Sequence, residues 1–498
     1  MNRALLRISL ACLAMFVLLL LNMNYVQAFE TNKLATEPGN IRVFDEQFTY
    51  QRGSIVATGD GNDVTIAESR LIKGTDTYQR YYPEGPVYAP VTGFDTIYSQ
   101  TGIEQTENKL LNGTDPRLAI HNLTSLLTGK QKQGATVELT ISPAAQQAAY
   151  SALVNDGGHA AAVVAMNPST GAILAMASYP SYDPNVLTTF DGTQLNDAYN
   201  NLVHDPAQPL LNRAVTPNFP PGSSFKIVTS SAAFSQGLVA NTNTTVPAPE
   251  PLQLPNGNLL NNDGDETCAD GNPPIIEAFY LSCNTAFAGL GIRLTAPVLR
   301  DYANKFGMNQ TFDIPFPVEP GLFPEDQGWT DPSLTAFSAI GQFDDEVSPL
   351  QEAMLASAIE NGGTLMKPYL VQQVLGPGLS LIESASPSAF SHPVTPQVAG
   401  YVKAMMYEVT HNPSGTAYET AGPPATSIPI YGKTGTAENG LTPAESPDDA
   451  VFSCFVPAGP GVSSPIAVGV IVQGGGFGAD AAAPIAVQVI QAYLKAHS

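Results

Sequence analysis

The chain is poor in charge, and poorest in positive charge. Charged residues make up 13% of its 498 positions, about half the usual share. Only 21 Lys and Arg face 44 Asp and Glu, a net of −23 at pH 7. So little charge excludes a disordered polyelectrolyte or a charge-laced coiled coil. So few cations exclude a nucleic-acid-binding surface, because phosphate must be met by a cationic face. Four cysteines in this length exclude a disulfide-held mini-protein. The six histidines are scattered, and neither HExxH nor CxxC occurs, which removes the common zinc signatures. Internal repeats and low-complexity tracts are missing as well. What remains is an ordinary hydrophobic content of 43% and, at ~150 residues per domain, room for two or three domains.

The N-terminus sets the compartment. Arg3 and Arg7 precede an apolar run from Ile8 to Leu21, and a softer segment continues to Phe29. The strict run has the length of a signal-peptide core, whereas Ile8 to Phe29 is long enough to span a bilayer. Val26-Gln27-Ala28 loosely resembles a cleavage site, so anchor and signal peptide both stay open on the residues alone. In either case positive charge stays inside and the remainder is exported. Beyond the two leading arginines, 19 basic residues face 44 acidic ones, or −25. Any anionic substrate therefore depends on cations placed locally.

Residues 30 to about 135 read as short strands broken by Gly and Pro, with turns at Glu84-Gly85-Pro86 and Asn112-Gly113-Thr114. From Thr136 the pattern is mixed α/β. Apolar runs at 160–166 and 172–177 flank Asn167-Pro168-Ser169-Thr170-Gly171, a hairpin signal. Ser348-Pro349-Leu350-Gln351 is a capping box with Pro at the first helical position, and the helix it opens is expected to end at Gly362-Gly363. Pro465 to Gln473 reads as a buried strand, and the tail from Pro484 as an amphipathic helix.

Three short motifs carry chemistry. In Pro220-Pro221-Gly222-Ser223-Ser224-Phe225-Lys226 an extended segment ends and a helix-like run begins, placing Ser223 at a helix N-terminus with Lys226 one turn on. Serine is a weak nucleophile until a base takes its proton. Lysine is a base only when desolvation or a nearby cation lowers its pKa. Lys226 is the only lysine with Ser three residues before it. Ser282-Cys283-Asn284 is the only SxN, 59 residues beyond Ser223. Its serine can relay a proton and its asparagine can bind a substrate amide. Lys433-Thr434-Gly435-Thr436 is the only KTG, 151 residues beyond Ser282. Beta-branched residues before it predict a strand, and Pro429 predicts an edge, where an extended peptide can pair. Alone, each motif has an ordinary reading as a polar helix start, a polar loop or an edge strand with a gatekeeping lysine. Cys268 and Cys283, on an exported chain, can close a 15-residue loop worth roughly 3 kcal/mol. Two free thiols is the alternative.

In the order SxxK, SxN, KTG these motifs are the set of penicillin-binding proteins and serine β-lactamases. The chain resembles the class B penicillin-binding proteins, and within them the actinobacterial A group. Further elements carry the resemblance beyond the motifs: Arg52-Gly53-Ser54-Ile55, Tyr88 to Phe94, Gly102-Ile103-Glu104, Thr140-Ile141 with Gln146, Ile340-Gly341-Gln342 and Asn361-Gly362-Gly363. It implies an α/β (α+β) fold: an antiparallel sheet flanked by helices, with the serine at the base of a cleft between the sheet and an all-helical part. It also implies a transmembrane segment at 1–29, a β-rich pedestal module at 30–135 and a transpeptidase domain at 136–498.

By the same resemblance Ser223 attacks the D-Ala-D-Ala carbonyl of a stem peptide, with Lys226 as base and Ser282 and Lys433 in the catalytic set. Asn284, Thr434, Gly435 and Thr436 bind substrate. The N–H groups of Ser223 and Thr436 form the oxyanion hole. No metal or organic cofactor is implied. The implied partners are peptidoglycan stem peptides and their lipid-linked precursor, β-lactams, the cytoplasmic membrane, a glycosyltransferase and divisome proteins. The catalytic domain is expected on the extracytoplasmic side of a single-pass anchor. The family pattern breaks after KTG, where the strand usually carrying an aromatic pair reads Asp449-Ala450-Val451-Phe452-Ser453-Cys454. A D,D-carboxypeptidase and a β-lactamase use the same motifs with water as acceptor, and a β-lactam sensor or non-catalytic divisome scaffold is the alternative from another class.

Overall fold

The computed structural model describes residues 3–30, 48–118, 133–216, 219–324, 331–438, 447–459 and 462–498. Helix α1 (Arg3–Tyr25) exposes its apolar side chains from Ile8 onward. Its segment Arg7–Tyr25, with mean hydropathy 2.0, is the one helix among the described residues long and apolar enough to cross a bilayer.

The N-terminal region forms β1 (Ile55–Ala57), β2 (Val64–Leu71), β3 (Tyr78–Tyr81) and α2 (Gly85–Thr92). The turn expected at Glu84-Gly85-Pro86 is instead the start of α2. Glu84 is the cap and Pro86 sits in the first turn, where a missing N–H costs nothing. Then follow β4 (Thr136–Leu139), α3 (Pro143–Asn155), and the predicted hairpin as β5 (Ala161–Met166) and β6 (Ile173–Tyr179). Helices α4 (Lys226–Ser235), α5 (Ile275–Tyr280), α6 (Asn284–Leu294) and α7 (Pro349–Glu360) come next, then β7 (Val371–Leu375), β8 (Leu381–Ser384) and α8 (Pro396–His411). The chain closes with β9 (Tyr431–Ala437), β10 (Asp449–Val456), β11 (Ile466–Val472) and α9 (Ala482–Ala496).

Two sheets organise the molecule. The antiparallel sheet β9-β10-β11-β5-β6 has the KTG strand at its edge. Helices α3 and α9 pack on each other and on β6 and β11. Helix α7 packs on β5, β10 and β11, and its residues from Pro349 to Ile359 are all buried. The capping box at Ser348 is formed, with Gln351 answering it, and α7 stops two residues before Gly362. Gly469 on β11 lets α7 come close, since a Cβ there would collide with the Pro349 carbonyl.

The second sheet runs β8-β7-β4-β1-β2-β3. Strand β1 pairs parallel with β4 (Ile55 opposite Val137), and β4 pairs antiparallel with β7. The boundary expected at 135/136 therefore runs through a sheet. Beside it lies a buried charge network. Glu104 accepts from Arg52 Nε at 2.7 Å, from Arg80 Nε at 2.5 Å and from the Tyr82 hydroxyl at 3.2 Å. Arg52 is also 3.5 Å from Asp95. Arg80 donates to the Gly53 carbonyl at 2.7 Å.

Candidate active site

The three motifs, hundreds of residues apart in part, meet where α4 begins against the edge strand β9. The Ser223 segment is a 3-10 turn, Gly222–Phe225, and Lys226 is the first residue of α4. Gly222 and Gly341 have φ of +55° and +76°, and Gly222 N–H donates to the Gly341 carbonyl at 2.9 Å. A Cβ on Gly341 would strike the Gly222 carbonyl, so glycine is required for the approach. A Cβ on Gly222 would come 2.7 Å from the Thr436 carbonyl, and one on Gly435 2.7 Å from the Pro221 carbonyl. These contacts seat the Ser223 turn directly on the KTG strand.

Ser282 stands between two lysines. Lys226 Nζ donates to the Ser282 carbonyl at 2.7 Å, to Ser282 Oγ at 3.2 Å and to Asn284 Oδ1 at 2.7 Å. Lys433 Nζ donates to Ser282 Oγ at 2.8 Å and to the Thr434 carbonyl at 2.9 Å. No hydrogen bond joins Lys226 to Ser223, although the two were expected within reach of a shared proton. The three donors of the ammonium are directed to the SxN segment instead. Such bonds commonly form only with substrate in place.

Both lysines are fully buried. Burial pulls Lys226 down to about 7, with the Asp263 carboxylate partly opposing it. Lys433 is also held well below its ordinary value, by burial first and then by the Lys226 charge, with Asp263 opposing.

The SxN segment is held by covalent and polar ties. Ser282 has φ +61°, Cys283 caps α6, and Cys283 is disulfide-bonded to Cys268 with a Cα–Cα distance of 5.8 Å. Asn284 Nδ2 donates to Asp263 Oδ1 at 3.1 Å, so the loop around Cys268 reaches the site. On β9, the Thr434 hydroxyl pairs with the Thr416 hydroxyl at 2.7 Å, and Thr436 is more exposed. In the departing strand β10, Ser453 lies opposite Lys433 and Phe452 opposite Thr434. The Phe452 ring fills the space over Gly432.

Sequence reasoning missed Asp263, Thr416, and the pair Ser224 and Glu352. Asp263 and Thr416 lie in loops with no local signal. Glu352 had one: it is the only acid within a helix apolar on every side until its last residue, Glu360, and such a helix is buried.

The family described as "Penicillin binding protein transpeptidase domain" matches residues 161–491, and the one described as "Penicillin binding protein A dimerisation domain" matches residues 52–137. The chain belongs to the penicillin-binding-protein transpeptidase family, in its class B branch. It is 39% identical to the peptidoglycan D,D-transpeptidase PbpA of Mycolicibacterium smegmatis, over 99% of both chains. It is 38% identical to the PbpA of Mycobacterium tuberculosis, again over 99% of both. The crystal structure of M. tuberculosis penicillin-binding protein A superposes with a TM-score of 0.82 at 37% identity, covering 90% of this chain and all of that one. The ceftriaxone acyl-enzyme complex of the same protein gives 0.83 at 37% identity, covering 91% of this chain and all of that one.

Proposed function

We propose that the chain is a membrane-anchored peptidoglycan D,D-transpeptidase, acylated by its stem-peptide donor and by β-lactams on Ser223. The observation that carries this reading is a lysine drawn to about 7, one turn from a serine seated on a KTG edge strand. Neutral Lys226 takes the Ser223 proton as Oγ attacks the penultimate D-Ala carbonyl. The tetrahedral oxyanion is held by the N–H groups of Ser223 and Thr436. Collapse breaks the peptide bond, and the leaving D-Ala amine takes a proton relayed through Ser282 from the lysine pair. The amine of a second stem peptide then attacks the ester, and its proton returns by the same route.

Asn284 orients the donor amide. Lys433, Thr434 and Thr436 meet the terminal carboxylate, and Gly435 lets the peptide lie close to β9. Residues 1–29 are the anchor, 30–135 the pedestal and 136–498 the catalytic domain, which lies on the extracytoplasmic side. The reading implies the lipid-linked precursor as substrate, and a glycosyltransferase and divisome proteins as neighbours.

The test is labelling with a fluorescent penicillin followed by peptide mass spectrometry. The adduct is expected on Ser223 and absent from Ser223→Ala. An adduct on Ser224 or Ser282 overturns the assignment. Cross-linking of lipid-linked precursor by the labelled protein separates a transpeptidase from a sensor or scaffold.

A further inference from the structure

Directly behind the nucleophile turn lies a carboxyl group that the acyl-transfer scheme does not use. Glu352 sits in the first turn of α7, 1% exposed, and Ser224 beside the nucleophile is fully buried. Ser224 Oγ lies 2.8 Å from the Pro221 carbonyl oxygen and 2.7 Å from Glu352 Oε1. A hydroxyl has one hydrogen, and a peptide carbonyl can only accept. For both contacts to be hydrogen bonds, Ser224 donates to Pro221 and the carboxyl donates to Ser224. An ionised carboxylate can only accept. It would take the single Ser224 hydrogen and leave the Pro221 carbonyl without it.

The surroundings agree with a neutral acid. Glu352 Oε2 has no hydrogen-bond partner, and the side chain borders a cavity of about 10 Å³ lined by Phe225, Val228, Val347 and Leu355, where its one polar side-chain neighbour is the uncharged amide of Gln351. The nucleophile turn presents Ser224 to it. Strand β10 presents Ser453, whose hydroxyl donates to the Glu352 backbone carbonyl at 2.8 Å, and β11 presents Gly469. The segment carrying Phe306 and Met308 is apolar there. Among the described residues no charged side chain acts on this carboxyl. Burial is the largest influence on its pKa and raises it to about 7. A helix N-terminus favours an anion, yet no backbone N–H donates to this one; the Gln351 N–H goes to Ser348 Oγ. The two lysines of the site take their electrostatic partners elsewhere, from each other and Asp263.

We propose that Glu352 is a positioning residue for acyl transfer. As a neutral acid it donates to Ser224, which donates to Pro221, and this relay fixes the turn that presents Ser223 against β9. The proposal rests on the assignment of Ser223 above. Pro221 is the residue whose carbonyl closes on Gly435, so the relay ties α7, the nucleophile turn and the KTG strand together. Two groups then titrate near neutrality with opposite consequences. Lys226 must lose its proton to act, and Glu352 must keep its own.

The experiment is the pH profile, from 5.5 to 9.5, of the second-order rate of acylation of the full-length protein by a fluorescent penicillin. Wild type is expected to rise to a maximum near neutrality and then fall, approaching tenfold per pH unit on the alkaline side. Glu352→Gln carries an amide that is neutral throughout and still donates to Ser224. It is expected to keep the rising limb and lose the falling one, with its pH 9 rate within about twofold of its maximum. An unchanged falling limb overturns the proposal, as does a Glu352→Gln protein that melts like wild type yet does not label. If Glu352→Gln does not fold, Ser224→Ala decides: it breaks the relay, so its falling limb is expected to vanish, and a persisting limb overturns the proposal. Wild type that labels at no pH refutes the acyl-transfer reading itself, a separate result.

Discussion

Two buried clusters in this molecule treat charge in opposite ways. In the N-terminal region, Arg52 and Arg80 clamp one carboxylate, Glu104, from both sides. Burial alone would raise the Glu104 pKa, but the two guanidinium groups hold it below its ordinary value. Arg52 is raised despite its burial, by Asp95 and Glu104. Asp95, farther from its arginine, is raised by burial more than Arg52 lowers it. At the active site two lysines share a serine instead, with the exposed Asp263 nearby, and burial prevails. Equal burial thus gives a fixed charge where opposite charges close in from both sides, and a movable proton where they do not. The first cluster holds structure, and the second holds the lysine that the proposed acyl transfer needs as a base.

The largest expected effect breaks the first cluster. Glu104→Ala leaves two buried guanidinium groups facing each other and should cost about 3–5 kcal/mol of stability in a urea titration. A loss below about 1 kcal/mol would mean the arginines are not confined by Glu104. At the second cluster, Lys226→Arg keeps a charge that cannot be given up. Acylation should fall by about 10²–10⁴-fold, the range for a positioned general base. Labelling near the wild-type rate would remove Lys226 from that role.

Much of the second cluster was legible because its chemistry is local. SxxK places a serine and a lysine on one helical face, and a Pro-flanked KTG marks an edge strand, whatever the rest of the chain does. The hairpin at 160–177, the capping box and the C-terminal helix were legible for the same reason. What was hidden depends on distant chain. Nothing near Asp263 announces that it reaches Asn284, and nothing near residue 371 announces that it pairs with β4. The misread start of α2 has a local cause, since Gly-Pro serves a turn and a helix N-terminus equally well.

A smaller effect sharpens the assignment on β9. Hydrogen bonds to a charged group are worth ~1.5–3 kcal/mol each, so Thr434→Val should lower acylation efficiency roughly tenfold to a hundredfold. An acyl donor with its terminal carboxylate amidated should lose a similar factor on wild type and little more on the variant. Independent losses would assign Thr434 to the Thr416 hydroxyl alone. The smallest effect is the pH slope of stability. Glu104, depressed in the folded state, stabilises above its unfolded pKa of about 4.3 and loses that contribution as pH falls through the folded value. Lys226 is also depressed, so the unfolded chain binds the extra proton between about 7 and about 10.4, and stability should rise with pH across that window. The slope is at most about 1.4 kcal/mol per pH unit for one group. Lys226→Met should reduce the alkaline rise, which Lys433, also depressed, still carries in part, and Glu104→Gln the acid loss, each without affecting the other. A single variant that flattened both would show that the clusters are coupled.

The sheet shared by the two halves has a consequence for how the molecule can be cut. Strand β4 is flanked by β1 on one side and β7 on the other. A chain begun at residue 136 would keep β4, β7 and β8 but lose β1, β2 and β3, turning an interior strand into a bare rim of unmatched N–H and C=O groups. Val137 and Leu139, now fully covered, would lie at that rim, a template for pairing with a second chain. The excised catalytic half is thus expected to self-associate at a surface the intact molecule never presents.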